Sequence, residues 1–140
     1  MFAKILIVED EILVAMQLED VLIHAGYDVI GIVPDLPALG RVKDVPQVAL
    51  VDINLRDGRS GPSIAHQLSD RFGTSIVYVT ANPEQIGVPA ATAVGVVAKP
   101  FSARSIVDAV NYALLGGGQG TKSVACPADL EPIFLQLRAG

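Results

Sequence analysis

The chain has 140 residues, 51% apolar and 18% charged, with a formal net charge of −5. That suffices for one domain with a real core and is too apolar for extensive disorder. The basic residues are scattered rather than striped, so nucleic acid is not expected as a direct partner.

No apolar stretch approaches the ~20 residues that span a bilayer. Met1-Phe2-Ala3-Lys4 enters a strand pattern too early for a signal peptide. No membrane partner and a cytoplasmic location are therefore expected. The single cysteine, Cys126, excludes an internal disulfide and has no CxxC partner for a metal.

Strand and helix signals alternate along the chain. Lys4 to Val8 is a first strand. Ile12 to Ala25 is a first helix, with Ile12, Leu13, Met16, Leu18, Val21 and Leu22 near helical spacing. Gly26 ends it as a C′ residue. Asp28 to Val33 is a second strand, and Pro34 and Pro37 bracket a weak second helix, Leu36 to Lys43. Val48 to Asp52 is a third strand. A polar loop, Asn54 to Ser60, leads to a third helix with Pro62 in its first turn, ending near Arg71. Ser75 to Thr80 is a fourth strand. Pro83 to Ala93 carries Pro83, Gly87 and Pro89, so a fourth helix there is expected to be short, distorted or mobile. Val94 to Ala98 is a fifth strand, and Ser102 caps a fifth helix that runs to Leu115. Gly116 to Gly120 is a flexible linker. Beyond it, Pro127 to Leu137 is expected as one short helix presenting Leu130, Ile133, Phe134 and Leu137 on one face.

This alternation predicts an α/β fold: a doubly wound, five-stranded parallel sheet of order 2-1-3-4-5, flavodoxin-like, with right-handed crossovers. The expected division is residues 1–115 as the domain and 116–140 as Gly-rich linker and short C-terminal helix. No phosphate loop of the G-x-x-x-x-G-K-[ST] type occurs, nor a G-x-G-x-x-G after the first strand.

Four of the apolar strands end in polar residues of different kinds: Glu9-Asp10, Asp52, Thr80 and Lys99. Ligands of open parallel sheets sit outside the carboxyl ends of the strands. In the order 2-1-3-4-5 the first and third strands are neighbours, so Glu9, Asp10 and Asp52 converge. Three carboxylates in one place repel unless a cation lies between them, and magnesium suits hard oxygen ligands. Glu9, Asp10 and Glu11 could instead favour the N-terminus of the first helix, but that leaves Asp52 unexplained. Asp52 is the candidate nucleophile, since aspartates form acyl phosphates. Thr80 offers a hydroxyl to a phosphoryl oxygen. Lys99, after an all-apolar strand and before Pro100, offers an ammonium to Asp52 or to a phosphoryl oxygen. Its X-Pro bond is a candidate for the cis form. His24 and His66 fit no metal or relay pattern and are expected to be ordinary helical histidines.

In order along the chain, Ile5-Leu6-Ile7-Val8-Glu9-Asp10-Glu11, Leu50-Val51-Asp52, Val79-Thr80-Ala81 and Lys99-Pro100-Phe101 resemble the motifs of a response-regulator receiver domain of two-component signalling. The resemblance covers Phe2 to Leu115. It implies that Asp52 accepts a phosphoryl group from a phosphohistidine on a sensor histidine kinase or histidine phosphotransfer protein. It implies Mg2+ bound directly by Asp10, Asp52 and the backbone carbonyl of Asn54, with Glu9 acting through water. Thr80 and Lys99 would contact the phosphoryl oxygens. Output would pass to a downstream protein target, and a homodimer through the last helices or strands is left open.

Three departures stand out. Arg56 occupies a position that is usually Pro, four residues after the phosphoacceptor. The loop from Asp52 to Gly61 is one residue longer than usual. Val96 replaces the aromatic that usually lies three residues before the Lys. The stretches Asp57-Gly58-Arg59-Ser60-Gly61 and Thr80-Ala81-Asn82-Pro83-Glu84 are similar to receivers of the alphaproteobacterial general stress response, which follow a sigma-factor-like domain; none is evident here. About 25 residues after Leu115 are too few for a DNA-binding or enzymatic output domain, so a stand-alone, non-enzymatic receiver is expected. Two other readings compete. An Asp-nucleophile phosphohydrolase would want an acid/base Asp where Asn54 stands. An interaction module without phosphoryl turnover would not need the intact acid, Thr and Lys set.

Overall fold

The computed structural model describes residues 2–116 and 128–132. The elements run β1 (Lys4–Val8), α1 (Ile12–His24), β2 (Asp28–Val33), α2 (Leu36–Leu39), β3 (Val48–Val51), α3 (Gly61–Phe72) and β4 (Ser75–Thr80). A single 3-10 turn (Pro83–Gln85) follows, then β5 (Ala93–Ala98), α4 (Ala103–Leu114) and β6 (Glu131–Pro132).

The strands pair in the order β2-β1-β3-β4-β5-β6. The first five are parallel, as expected. The sixth is antiparallel and was not anticipated. Residues 128–132 belong to the stretch expected to be helical. They form a turn and then an edge strand, because Glu131 and Pro132 pair with Val96 and Gly95. The remainder of that expected helix, and Cys126, lie outside the described residues.

The interior strands read as unbroken apolar runs because both faces of the sheet are covered. Every residue of β3 is buried, and Ile5, Leu6, Ile7 and Val8 of β1 have no exposed surface. Each such side chain contributes about 1.5–3 kcal/mol. One core layer joins the sheet to α2, α3 and the segment holding Ile86 and Ala90. The other joins it to α1, α4 and Leu130.

α1 buries Ala15, Leu18 and Leu22. Ile12, Leu13 and Met16, expected on its apolar face, are instead exposed. The inward stripe begins one position out of phase with them, and they sit on the outer side of the first two turns. Gly26, with φ 91°, closes the helix as expected. α2 is one turn, shorter than expected, and is capped by Asp35, whose Oδ1 accepts from the Ala38 amide at 3.0 Å. α4 begins with a reciprocal capping box between Ser102 and Ser105.

The fourth helix is reduced to the 3-10 turn. Pro83 and Pro89 remove amide donors that a helix would need. The segment is anchored by other groups. The Tyr78 hydroxyl accepts from the Ala90 amide at 3.0 Å. His66 Nε2 donates to the Val88 carbonyl at 2.9 Å. Ser69 Oγ accepts from the Thr92 amide at 3.2 Å. Burial pushes the Tyr78 phenol above its ordinary pKa, so it stays neutral in this role.

Candidate functional site

β1 and β3 are direct neighbours in register, with Val8 beside Val51. Their ladders continue past the strand ends: the Glu9 amide donates to Val33 at 3.0 Å and the Asp52 amide to Val8 at 2.9 Å. These bonds fix the backbone of both acids. Carboxylate oxygens of Glu9, Asp10 and Asp52 lie within 4.8 Å of one another. Hard oxygen donors at that spacing suit a divalent cation such as Mg2+.

Lys99 closes the cluster from the far side of the sheet. Its amide donates to the Thr80 carbonyl at 3.0 Å, extending the pairing of β4 and β5. Its Nζ donates to Glu9 Oε1 at 2.6 Å and to Asp52 Oδ2 at 3.0 Å. The Lys99–Pro100 bond is cis. Asp52 Oδ1 accepts from the Ile53 amide at 2.7 Å, so both oxygens of that carboxylate are oriented.

Burial pushes the Glu9 carboxyl up from its ordinary pKa, while Lys99 and the Glu11 amide pull it down. Burial also works against the charge of Lys99. Its hydrogen bonds to Glu9 and Asp52 outweigh that cost and hold its pKa above the ordinary value. The ammonium is thus retained as a buried counter-charge. Removing one partner of such a pair leaves an uncompensated buried charge, which is the costly outcome.

Thr80 ends β4, fully buried, and its Oγ1 accepts from the Asn82 amide at 3.0 Å. The Asn54 side chain donates to Gln85 Oε1 at 3.0 Å, tying the loop after β3 to the 3-10 turn. Gln85 carried no signal in the sequence, because a polar residue in a poor helix has no distinguishing pattern.

The longer loop after β3 is pinned to α2. Arg56 Nε donates to Asp35 Oδ2 at 2.7 Å. Asp57 Oδ2 accepts from the Leu36 amide at 3.1 Å, and its other oxygen accepts from Ser60. Gly58 turns the chain with φ 105°. The Arg56 bond holds the Asp35 carboxyl below its ordinary pKa. The Ser60 bond does the same for Asp57. Arg56 therefore replaces the expected Pro with an ion pair. The loop then returns so tightly that a Cβ on Gly61 would lie 1.9 Å from the Asp52 carbonyl oxygen.

A parallel five-stranded core with acids after β1 and β3, a hydroxyl at the end of β4 and a lysine after β5 defines an α/β domain of the flavodoxin-like type with its polar site at the carboxyl ends of the strands. Residues 5–111 match the response regulator receiver domain family, and the chain belongs to that family. It is 33% identical over 119 residues to the phyllosphere-induced regulator PhyR of Methylorubrum extorquens, covering 81% of this chain and 44% of that protein. The receiver domain of PhyR from Erythrobacter litoralis superposes with a TM-score of 0.74 at 29% identity, over 89% of this chain and 97% of that one. The structure of the PhyR stress response regulator gives 0.67 at 28% identity, over 85% of this chain and 47% of that one. The chain thus spans less than half the length of the curated PhyR it matches. The family is one of generally non-enzymatic signalling proteins. Among the described residues, no helix is long and apolar enough to cross a membrane.

Proposed function

We propose that this receiver accepts a phosphoryl group on Asp52 from a phosphohistidine and signals by protein contacts. The observation that carries the proposal is the Lys99 ammonium bridging Glu9 and Asp52 beside a third carboxylate. One Asp52 oxygen attacks phosphorus, the P–N bond breaks, and the imidazole leaves as the acyl phosphate forms. Asp10, Asp52 and the Asn54 carbonyl would hold Mg2+, with Glu9 acting through water. The ion would neutralise charge between carboxylate and phosphoryl oxygens. Lys99 exchanges its Asp52 contact for a phosphoryl oxygen, and the Thr80 hydroxyl donates to another.

The donor is a sensor histidine kinase or a histidine phosphotransfer protein. Ile12, Leu13 and Met16 are exposed on the first two turns of α1, which begins just after Asp10 and Glu11. A hollow of about 380 Å3 between Val14, Gln17 and the Lys99–Phe101 loop adjoins them. An apolar patch at the rim of the site suits a donor helix. A cytoplasmic location and a downstream protein target belong to the same reading. Similarity to PhyR supports a place in a stress response.

Intact-mass measurement tests this. With Mg2+ and acetyl phosphate or a phosphorylated kinase, wild type gains one acid-labile phosphate and Asp52→Asn gains none. Equal labelling of both proteins would remove Asp52 from its role. Steady release of phosphate from small phosphoesters would turn the assignment toward a hydrolase, and no labelling by any donor toward a module without turnover.

A further inference from the structure

Gly95 lies in the middle of β5, where glycine weakens a strand and offers nothing to pack. Its neighbours explain it. A Cβ there would stand 2.6 Å from Leu130 Cγ and 2.7 Å from the Glu131 carbonyl oxygen. The glycine is the notch into which residues 130–132 settle. Leu130 is buried in the layer shared with α1 and α4. Glu131 and Pro132 pair with the β5 edge. The edge of an all-apolar strand, Ala93-Val94-Gly95-Val96-Val97-Ala98, is thereby covered at Gly95 and Val96.

This short piece lines hollows that it shares with both segments leaving the candidate site. Glu131 and Pro132 flank a hollow of about 220 Å3 with Pro83, Glu84, Ile86, Gly87 and Val96. That is the turn following Thr80, bonded to Asn54 through Gln85. Asp129 borders a second hollow, of about 320 Å3, with Pro100, Phe101 and Ser102, the loop following Lys99.

We propose that residues 128–132 are a detachable strap whose hold on the β5 edge is set by the state of Asp52. The proposal rests on the phosphoacceptor reading above. A phosphoryl group takes Lys99 off Asp52 and draws the donor hydroxyl of Thr80 inward. The 83–87 turn follows it toward the site, and the strap loses its flank. The strap then leaves and the β5 edge is exposed. With Val96 in place of an aromatic, this gives the site an output that needs no ring movement.

Hydrogen exchange on the full chain, read by mass spectrometry, tests both halves. Leu130→Asp and Gly95→Val eject the strap from opposite sides. Each is expected to speed exchange in 93–98 and in 83–87 while leaving 48–51 as in wild type. Acceleration confined to 93–98 would make the segment a passive edge cover and overturn the proposal. In wild type carrying phosphate on Asp52, verified by intact mass, exchange at 128–132 is expected to rise about fivefold or more, the lower range of coupling between sites. Unchanged or slower exchange there in verified phosphoprotein would overturn the link. Failure to incorporate phosphate at all would overturn the phosphoacceptor reading, and the link with it. The mass measurement distinguishes that failure from the first.

Discussion

The carboxyl ends of β1 and β3 meet those of β4 and β5 in one site, yet the two pairs are held differently. Glu9 and Asp52 directly follow strands that are buried from Ile5 to Val8 and from Val48 to Val51, backed by ladder bonds to Val33 and Val8 and by α3 packed against the Asp52 carbonyl. Thr80 leads into a segment without a full helix, anchored by Ile86 and Ala90 in the core and by a few polar contacts: Asn54 to Gln85, Tyr78 to Ala90 and His66 to Val88, while Lys99 follows β5, whose outer edge is paired only with the short strand β6. The first pair is built to keep its geometry. The second leads into chain with fewer regular backbone bonds, and local stability follows the density of buried contacts.

The sharpest way to break this contrast is at the two close-packed glycines. Gly61→Val forces a side chain into the Asp52 backbone, where neither neighbour can yield. A loss of about 3 kcal/mol or more is expected in denaturant melts. A loss under about 1 kcal/mol would mean the acid side of the site is as adaptable as the other. Gly95→Val, by contrast, is expected to leave the domain folded, because the strap can move away.

Smaller effects refine the comparison. Ser102→Ala removes one half of the capping box behind the Lys99 loop and should cost about 1 kcal/mol in thermal or urea unfolding. Gln85→Ala removes the link from Asn54 to the 3-10 turn. Its stability cost should stay within about 0.5 kcal/mol, while amide chemical shifts move across 83–87 and stay put in β3. Shifts spread equally over both would contradict a separate, adjustable segment.

The gentlest probe is pH. Asp35 and Asp57 are held below the ordinary value of 3.8, by Arg56 and Ser60 respectively. A depressed carboxyl contributes stability above its unfolded pKa and loses it as pH falls through the lower folded value. The clamp between α2 and the loop after β3 should therefore persist from neutrality down to about 3.8 and open only below it. Amide exchange at Leu36 and Ala38, followed by NMR, checks this. Opening near pH 5 or 6 would show that the carboxylates are not what holds it.

Much of this was legible in advance because strand ends announce themselves. Buried parallel strands are unbroken apolar runs, and a charge immediately after one can only sit at the sheet's edge. Hence Glu9, Asp10, Asp52, Thr80 and Lys99 could be named together. The α1 stripe was misjudged because Ile12, Leu13 and Met16 are apolar yet face outward, and periodicity cannot tell a buried apolar face from an exposed one. Residues 128–132 were misjudged because Leu130 and its neighbours suit a helix face as well as a strand.

Local pattern alone determined the alternation of strands and helices and the set of polar groups at the strand ends, each of which depends on a residue and its near neighbours in sequence; the strand order followed from the doubly wound fold type. Only the tertiary structure decided that Lys99 bridges Glu9 and Asp52, that Arg56 clamps Asp35, that Asn54 reaches Gln85, and that Gly95 is a notch for Leu130. Those partners are 21 to 90 positions apart for the hydrogen-bonded pairs, and such pairings exist only once packing has closed the intervening chain.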